Sequence, residues 1–310
     1  TNIGSCAFYG CSNLEKIVIP STVKSIQESA FYKCSSLDCI NIPYGVENIY
    51  SEAFYECTSL ESIKLPETLL FIGNKAFYNC TALKEMKIPS SVNSLGFSFI
   101  SGTSISCINI PVAIKKVQID RWNNIGAYGP FSGCDTLTKV IFDEGIENIP
   151  QYMLLDNNTK TQSKIKNIII PNGVKSIGMG AFQGCCSLEA ISMPKSIEKI
   201  GASAFEDCKK LYSIQIPYRV KEIQDYLFSG CENLNDIFIP DDIEVIGSSA
   251  FAKCKNLEEF NIPEKVKRIE RSTFEYCEKL KSVYIPADVE SIENCAFQNC
   301  YSLSEIKLPY

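Results

Sequence analysis

Apolar residues return along this chain on a fixed schedule. One stretch reads Ile200, Ala204, Phe205, Cys208, Leu211, Ile214, Ile216, Pro217 and Val220, and the next begins at Ile223. Written as a pattern the schedule is Ile-x3-Ala-Phe-x2-Cys-x2-Leu-x2-Ile-x-Ile-Pro-x2-Val-x2, with a period of 23 residues, and thirteen copies account for nearly the whole chain. Their first positions are Ile3, Ile26, Ile49, Ile72, Leu95, Val117, Ile149, Ile177, Ile200, Ile223, Ile246, Ile269 and Ile292.

Each segment of the unit predicts a local structure. Ile214, Gln215 and Ile216 alternate apolar and polar, the mark of a short strand with one buried face. Pro217 has no amide hydrogen to continue a ladder, so the strand ends after about three to four residues. Val220 and Ile223 lie three apart, and Ala204, Phe205 and Cys208 return at intervals too short for a helix of about eight residues or more. A second short extended piece followed by one tight helical turn fits that spacing. One unit cannot bury its apolar side chains alone, so neighbours stack, and their strands align as a parallel sheet at about 4.8 Å spacing.

Leu211-x2-Ile214-x-Ile216 resembles the strand motif of leucine-rich repeats, and the full unit, with Ile-Pro and Ala-Phe-x2-Cys, is similar to the BspA-like class of them. The likeness spans essentially all 310 residues. It implies an α/β leucine-rich-repeat solenoid wound as a right-handed superhelix. A parallel sheet of about 13 short strands would line the concave side, with short extended segments and single helical or 3-10 turns on the convex side. Residues 1–310 would form a single domain with irregular repeats at 95–170. The resemblance also implies an extracellular, cell-surface protein associated with adhesion and host contact, as in anaerobic mucosal bacteria and protozoa. No catalytic residues belong to the family pattern. Because Thr1-Asn2-Ile3 and Leu308-Pro309-Tyr310 both fall inside repeats, the chain reads as a fragment of a longer surface protein.

Composition narrows the function classes. The formal charge is -6, and Lys and Arg are spread evenly, so no basic stripe attracts nucleic acid. No apolar run approaches the roughly 18 residues of a membrane span, which argues against direct membrane insertion in this segment. The absence of histidine removes imidazole-based nucleophiles and metal ligands. Gly178, Gly180 and Gly184 lack the strand-to-helix context of a phosphate loop. No enzyme activity and no cofactor are therefore expected. Of the 16 cysteines, eleven share one repeat position, from Cys11 and Cys34 to Cys277 and Cys300, and read as small buried apolar filler rather than bridged rungs. Cys6 and Cys11, Cys34 and Cys39, and Cys295 and Cys300 are spaced too widely for a usual zinc motif, so no metal is expected.

Candidate partner-binding residues sit where the core does not dictate the side chain. The middle residue of each strand should face the inner, concave surface, and most are polar, as at Asn41, Lys64, Gln215 and Asn261. Ile141 with Ile169, and further along Phe238 and Tyr284, are the apolar exceptions, with Tyr44, Tyr218 and Tyr310 placed to border such a patch. Isolated apolar residues are also ordinary on any surface. The first four repeats place Tyr9, Tyr32, Tyr55 and Tyr78 after the core phenylalanine, a stripe able to pack on a protein or stack on sugar rings. Recent duplication of one unit explains the same stripe structurally. In the irregular centre, Phe99, Ile100 and Thr103 replace the Ala-Phe-Cys set. About nine extra residues between Val117 and Phe131 then bring Arg121, Trp122 and Tyr128, and about five more lie around Asn157 and Asn158. Arg121 and Trp122 are types enriched at binding hot spots, although Trp122 would also serve to plug the degenerate repeat. The partner expected is a protein or glycan macromolecule, host extracellular matrix among the candidates. The alternative is a structural spacer.

Overall fold

The computed structural model describes residues 1–120, 128–156 and 163–308, and its contacts separate two compact units. The first comprises Thr1–Ile146 with Met153–Ile165, the second Glu147–Tyr152 with Lys166–Tyr310. Both are stacks of short parallel strands joined by tight turns, a β-solenoid in which like residues of successive repeats pair.

Two series of strands run through each stack. Every one of the thirteen first positions closes a two-residue strand, as in Ser25–Ile26 or Glu222–Ile223, which is the second extended piece expected from the spacing. In the first unit six of these, from Asn2–Ile3 to Lys116–Val117, make one ladder in which Ile26 pairs with Ile49 and Ile72 with Leu95. The other series holds the Ile-x-Ile segment. Expected as a sheet of about 13 strands, it appears among the described residues as eleven strands in separate paired groups. In the second unit these are Asn167–Ile169 with Ala190–Ser192, then Ser213–Gln215 with Asp236–Phe238, then Glu259–Asn261 with Ser282–Tyr284 and Glu305–Ile306.

The helical or 3-10 turns expected on the convex side are absent among the described residues, so the architecture is β throughout rather than α/β. The third and seventh residues after each first position explain the difference. Ser29 and Lys33 have φ of 54° and 59°, and Ser203 and Asp207 have 55° and 57°. A left-handed residue every fourth position cannot propagate a right-handed helix. The chain instead makes consecutive β-turns, in which the amides of Ala30, Tyr32 and Cys34 donate to the carbonyls of Gln27, Ser29 and Phe31 at 3.1–3.2 Å. The alternate amides leave the turn for the next repeat: Ser29 to Ser51 O, Phe31 to Ala53 O and Lys33 to Tyr55 O, at 2.7–3.0 Å.

Glycine occupies the second left-handed position at Gly10, Gly102, Gly133, Gly184 and Gly230, but Lys253 adopts φ 62° there with an exposed side chain. A left-handed conformation costs a residue with a Cβ about 1–2 kcal/mol, and glycine's extra chain entropy offsets only part of that. Lys253→Gly should therefore stabilise the protein by about 0.5–1 kcal/mol, read as a raised urea midpoint with unchanged slope.

Phenylalanines and cysteines fill the interior of the turns. Phe31, Phe54 and Phe77 are fully buried and stack with centroids 5.2 Å apart, and Phe182, Phe205, Phe228, Phe251 and Phe274 do the same in the second unit. The cysteine column is buried and unbridged at Cys34, Cys57, Cys80, Cys208, Cys231, Cys254 and Cys277. It is more than apolar filler. The thiol of Cys57 donates to Phe31 O at 3.2 Å, that of Cys231 to Phe205 O at 3.1 Å and that of Cys277 to Phe251 O at 3.2 Å. Each such carbonyl already accepts the amide of the cysteine in its own repeat, so the thiol occupies its second lone pair. Burial pushes the Cys34 thiol up to about 11 and Cys80 up to about 12. In the irregular repeat Phe99 and Ile100 remain fully buried, and Thr103 takes the cysteine's place with its hydroxyl on Ile100 O at 2.8 Å.

Candidate functional site

Strand alternation leaves the middle residue of most Ile-x-Ile segments exposed. Asn41, Lys64, Gln215 and Asn261 are exposed between buried neighbours, and Ser192 between buried Ile191 and half-buried Met193. Among the apolar exceptions Ile169 is 74% exposed, Tyr284 50%, Ile141 43% and Phe238 40%. Ile141 belongs to the first unit and Ile169 to the second.

The second unit gathers aromatic rings on this face. Tyr218 meets Phe238 edge to face, with centroids 5.3 Å apart and planes at 65°. The ladder then breaks: the Asp236–Phe238 and Glu259–Asn261 strands do not pair, and none of their Cα atoms approach within 8 Å. An open groove of about 590 Å³ lies at the break, lined by Phe238, Asp241, Glu259, Asn261, Glu264 and Tyr284 together with the strand backbones and Pro263. At this break stands Phe260, where other repeats carry Ile214, Ile237 or Val283. The larger ring lodges between Phe251 and Phe274, at 4.9 and 4.8 Å. Ile237 and Ile239, on the open side, are half-buried, whereas Ile214 and Ile216 are buried.

Chemically this groove offers aromatic faces, one amide and carboxylates. Its ionisable residues are Asp241, Glu259, Glu264 and Tyr284, with no lysine or arginine in the lining. The Tyr284 hydroxyl donates to Glu264 Oε1 at 3.0 Å, and that bond holds the phenol above its ordinary pKa. Such a surface can hold a ligand by ring contact, ion pairing and hydrogen bonding. Sequence reading had found Phe238, Tyr218 and Tyr284 but not the three carboxylates, whose convergence follows from the break. The one signal for it was Phe260 in an Ile/Val column.

A groove of about 760 Å³ in the first unit has mixed charge, with Tyr44, Lys64, Glu67, Glu85 and Lys87 in its lining. The tyrosine stripe there is real. Tyr9, Tyr32, Tyr55 and Tyr78 stack face to face at 4.6, 4.6 and 4.8 Å, with planes within 10°. Their faces are occupied by one another, so what the row presents outward is ring edges and hydroxyls, and only Tyr9, 53% exposed, exceeds the half-buried range. Burial, with the neighbouring phenols and glutamates adding to it, pushes Tyr55 up to about 12.

Arg121, Trp122, Asn157, Asn158 and Tyr310 lie outside the described residues. Tyr128 is half-buried and bridges antiparallel to both Asp120 and Asp156, with Asp120 N and Tyr128 O 3.0 Å apart and Tyr128 N and Asp120 O 3.1 Å apart. The two insertions, read from the sequence as separate, thus meet at their bases. Among the described residues no group of three His, Cys, Asp or Glu could hold a metal ion, and no helix is long and apolar enough to cross a membrane.

The sequence profile of the BspA type leucine-rich repeat region matches in six copies, over residues 1–127, 157–281 and 267–310. Among solved structures, a leucine-rich repeat protein from Bacteroides ovatus is 30% identical with a TM-score of 0.72, over 98% of this chain and 81% of that one. A leucine-rich repeat protein from Eubacterium ventriosum is 22% identical, with a TM-score of 0.57 over 94% of this chain and 84% of its own. The pneumococcal vaccine antigen PcpA is 18% identical, with a TM-score of 0.52 over 96% and 79%. At these identities the last two speak for the fold alone. No curated protein matches the chain.

Proposed function

The chain belongs to the BspA type leucine-rich-repeat family, and from that premise we propose that it is a non-enzymatic, extracellular module of a cell-surface protein that adheres to a host or matrix macromolecule. The family match indicates no enzyme, and leucine-rich-repeat folds generally serve as scaffolds for binding proteins or other macromolecules. The observation that carries the reading is the pair of exposed rings Phe238 and Tyr284 on a strand column whose other members are mostly polar, with Tyr218 packed edge to face on Phe238. Rings held on a rigid ladder lose little conformational freedom on contact and are the residue type that dominates binding energy at interfaces. Ile141, Ile169, the Tyr9 to Tyr78 edge, Tyr128, and Arg121 with Trp122 are secondary contact candidates.

Purified chain should bind at least one member of a panel of matrix proteins and glycans, measured by biolayer interferometry. Phe238→Ser with Tyr284→Ser should then weaken that binding at least about tenfold, since exposed hot-spot rings are commonly worth 2 kcal/mol or more each. Both side chains are exposed, so the circular dichroism spectrum should stay unchanged. Failure of the wild-type chain across the whole panel would favour the spacer; binding untouched by the double variant would move the contact off this face.

A further inference from the structure

The break between the Asp236–Phe238 and Glu259–Asn261 strands leaves more than an aromatic patch, and its chemistry selects among partners. We infer that this groove receives an extended peptide segment carrying lysine or arginine, seated along the free edge of the Asp236–Phe238 strand. The inference deepens the adhesive reading above and rests on it.

Three observations converge. First, the Asp236–Phe238 strand pairs on one side with Ser213–Gln215, through Gln215↔Phe238, and on the other side with no strand among the described residues. In a parallel ladder alternate residues turn their amides and carbonyls to opposite sides. Tyr212 O and Ile216 N bond Asp236 N and Phe238 O, so Ile237 and Ile239 direct their backbone groups into the break. An edge of unpaired N–H and C=O groups is a template for an added strand, and a glycan does not satisfy its spacing. Second, the opening half-exposes Ile237 and Ile239, giving an incoming strand apolar contacts on the face opposite the rings. Third, the charged groups of the lining are carboxylates: Asp241, Glu259 and Glu264. Phe238 and Tyr284 stand among them with exposed faces, which favours a cation that can lie against a ring while its charge meets a carboxylate. The nearby ammonium of Lys265 is already held by Asp242.

The test uses the full chain and two synthetic probes, an alternating Lys-Val octapeptide and its Glu-Val counterpart, each fluorescein-labelled and titrated by polarisation at 50 and 200 mM salt. The Lys-Val probe should bind, weaken as salt rises, and protect the Ile237 and Ile239 amides from hydrogen exchange. The Glu-Val probe should not bind. Asp241→Asn with Glu259→Gln keeps the shape and removes the charge, and it should weaken the Lys-Val probe by about tenfold or more. Equal binding of both probes, indifference to the charge-neutral variant, or displacement of the Lys-Val probe by an oligosaccharide would each overturn the inference. If the chain holds a matrix protein through Phe238 and Tyr284 while the probe does not bind, this assignment alone falls. If the ring variant leaves macromolecular binding unchanged, the broader adhesive reading of the face falls with it.

Discussion

Raising the pH from 8 to 10 under reducing conditions is expected to strip about 5 kcal/mol of stability from the second unit. Four thiols carry the effect. Cys208, Cys231, Cys254 and Cys277 are fully buried, and burial first, then the neighbouring thiol of the column, holds each well above the ordinary value of 9.0. In the unfolded chain the same thiols ionise near 9.0, so through this window only the unfolded state sheds protons. The contribution is fully present below about pH 8 and is lost as pH climbs toward the folded pKa, at about 1.4 kcal/mol per thiol between pH 8 and 10. Lys255, Lys265 and Lys281, raised above their ordinary value by hydrogen bonds to Glu232, Asp242 and Glu258, add a small loss in the same direction near pH 10, where the unfolded lysines begin to shed protons before the folded ones do. Urea midpoints at pH 8, 9 and 10 measure the fall. Cys231→Ser keeps a donor for Phe205 O without a group that titrates, so its own fall should be smaller by about 1.4 kcal/mol. Midpoints that do not move with pH would mean that the column is open to solvent. Native-state labelling gives a second reading: Cys6, Cys11, Cys39, Cys107 and Cys295 are exposed and should react with a thiol reagent while the buried column waits for unfolding.

That column illustrates how far the sequence could be read. A 23-residue period forces like residues to face each other, so the first positions, the Phe and Cys rungs, the registers and the exposure of Gln215 all followed from spacing alone. Spacing carries no information on the sign of φ. Ser29, Lys33, Ser203 and Asp207 share no side-chain chemistry that announces a left-handed residue, and the glycines at Gly10, Gly102 and Gly230 were the only hint that the turns would not be helical. A thiol's acceptor was equally hidden, because Phe205 O reaches Cys231 only once the two repeats stack. Ion pairs between rungs, such as Lys24 with Glu47 and Lys255 with Glu232, were legible in principle at the repeat spacing, but exposed pairs contribute little. The groove was the least legible feature. Asp241 and Glu264 share one repeat position, 23 residues apart, and Glu259 opens the strand between them, but spacing does not announce that the two strands part at Phe260 and let these carboxylates line an open groove.

Replacing Phe205 by alanine is expected to cost about 3–5 kcal/mol, and the same change at Phe297 markedly less. Phe205 has no exposed surface and lies between two rings, Phe182 at 5.3 Å and Phe228 at 5.7 Å, so truncation removes apolar burial and two stacking contacts at once. Its backbone is committed too: the amide donates to Leu227 O at 3.1 Å, and the carbonyl accepts the Cys208 amide and the Cys231 thiol. Those bonds fix the main chain in place, so the turn cannot collapse to fill the void, and the cavity penalty is felt in full. Phe297 is half-buried and, among the described residues, stacks only on Phe274, at 5.4 Å, so it has less area and one ring contact to lose. In a stack where each repeat touches only its neighbours, stability is a sum of repeat and interface terms, and interior truncation weakens two interfaces where Phe297→Ala weakens one ring contact. Guanidinium or urea melts of the two variants beside wild type measure the ratio directly. Equal losses at both positions would show that the rings contribute as isolated side chains, without the coupling between rungs that the stacked geometry implies.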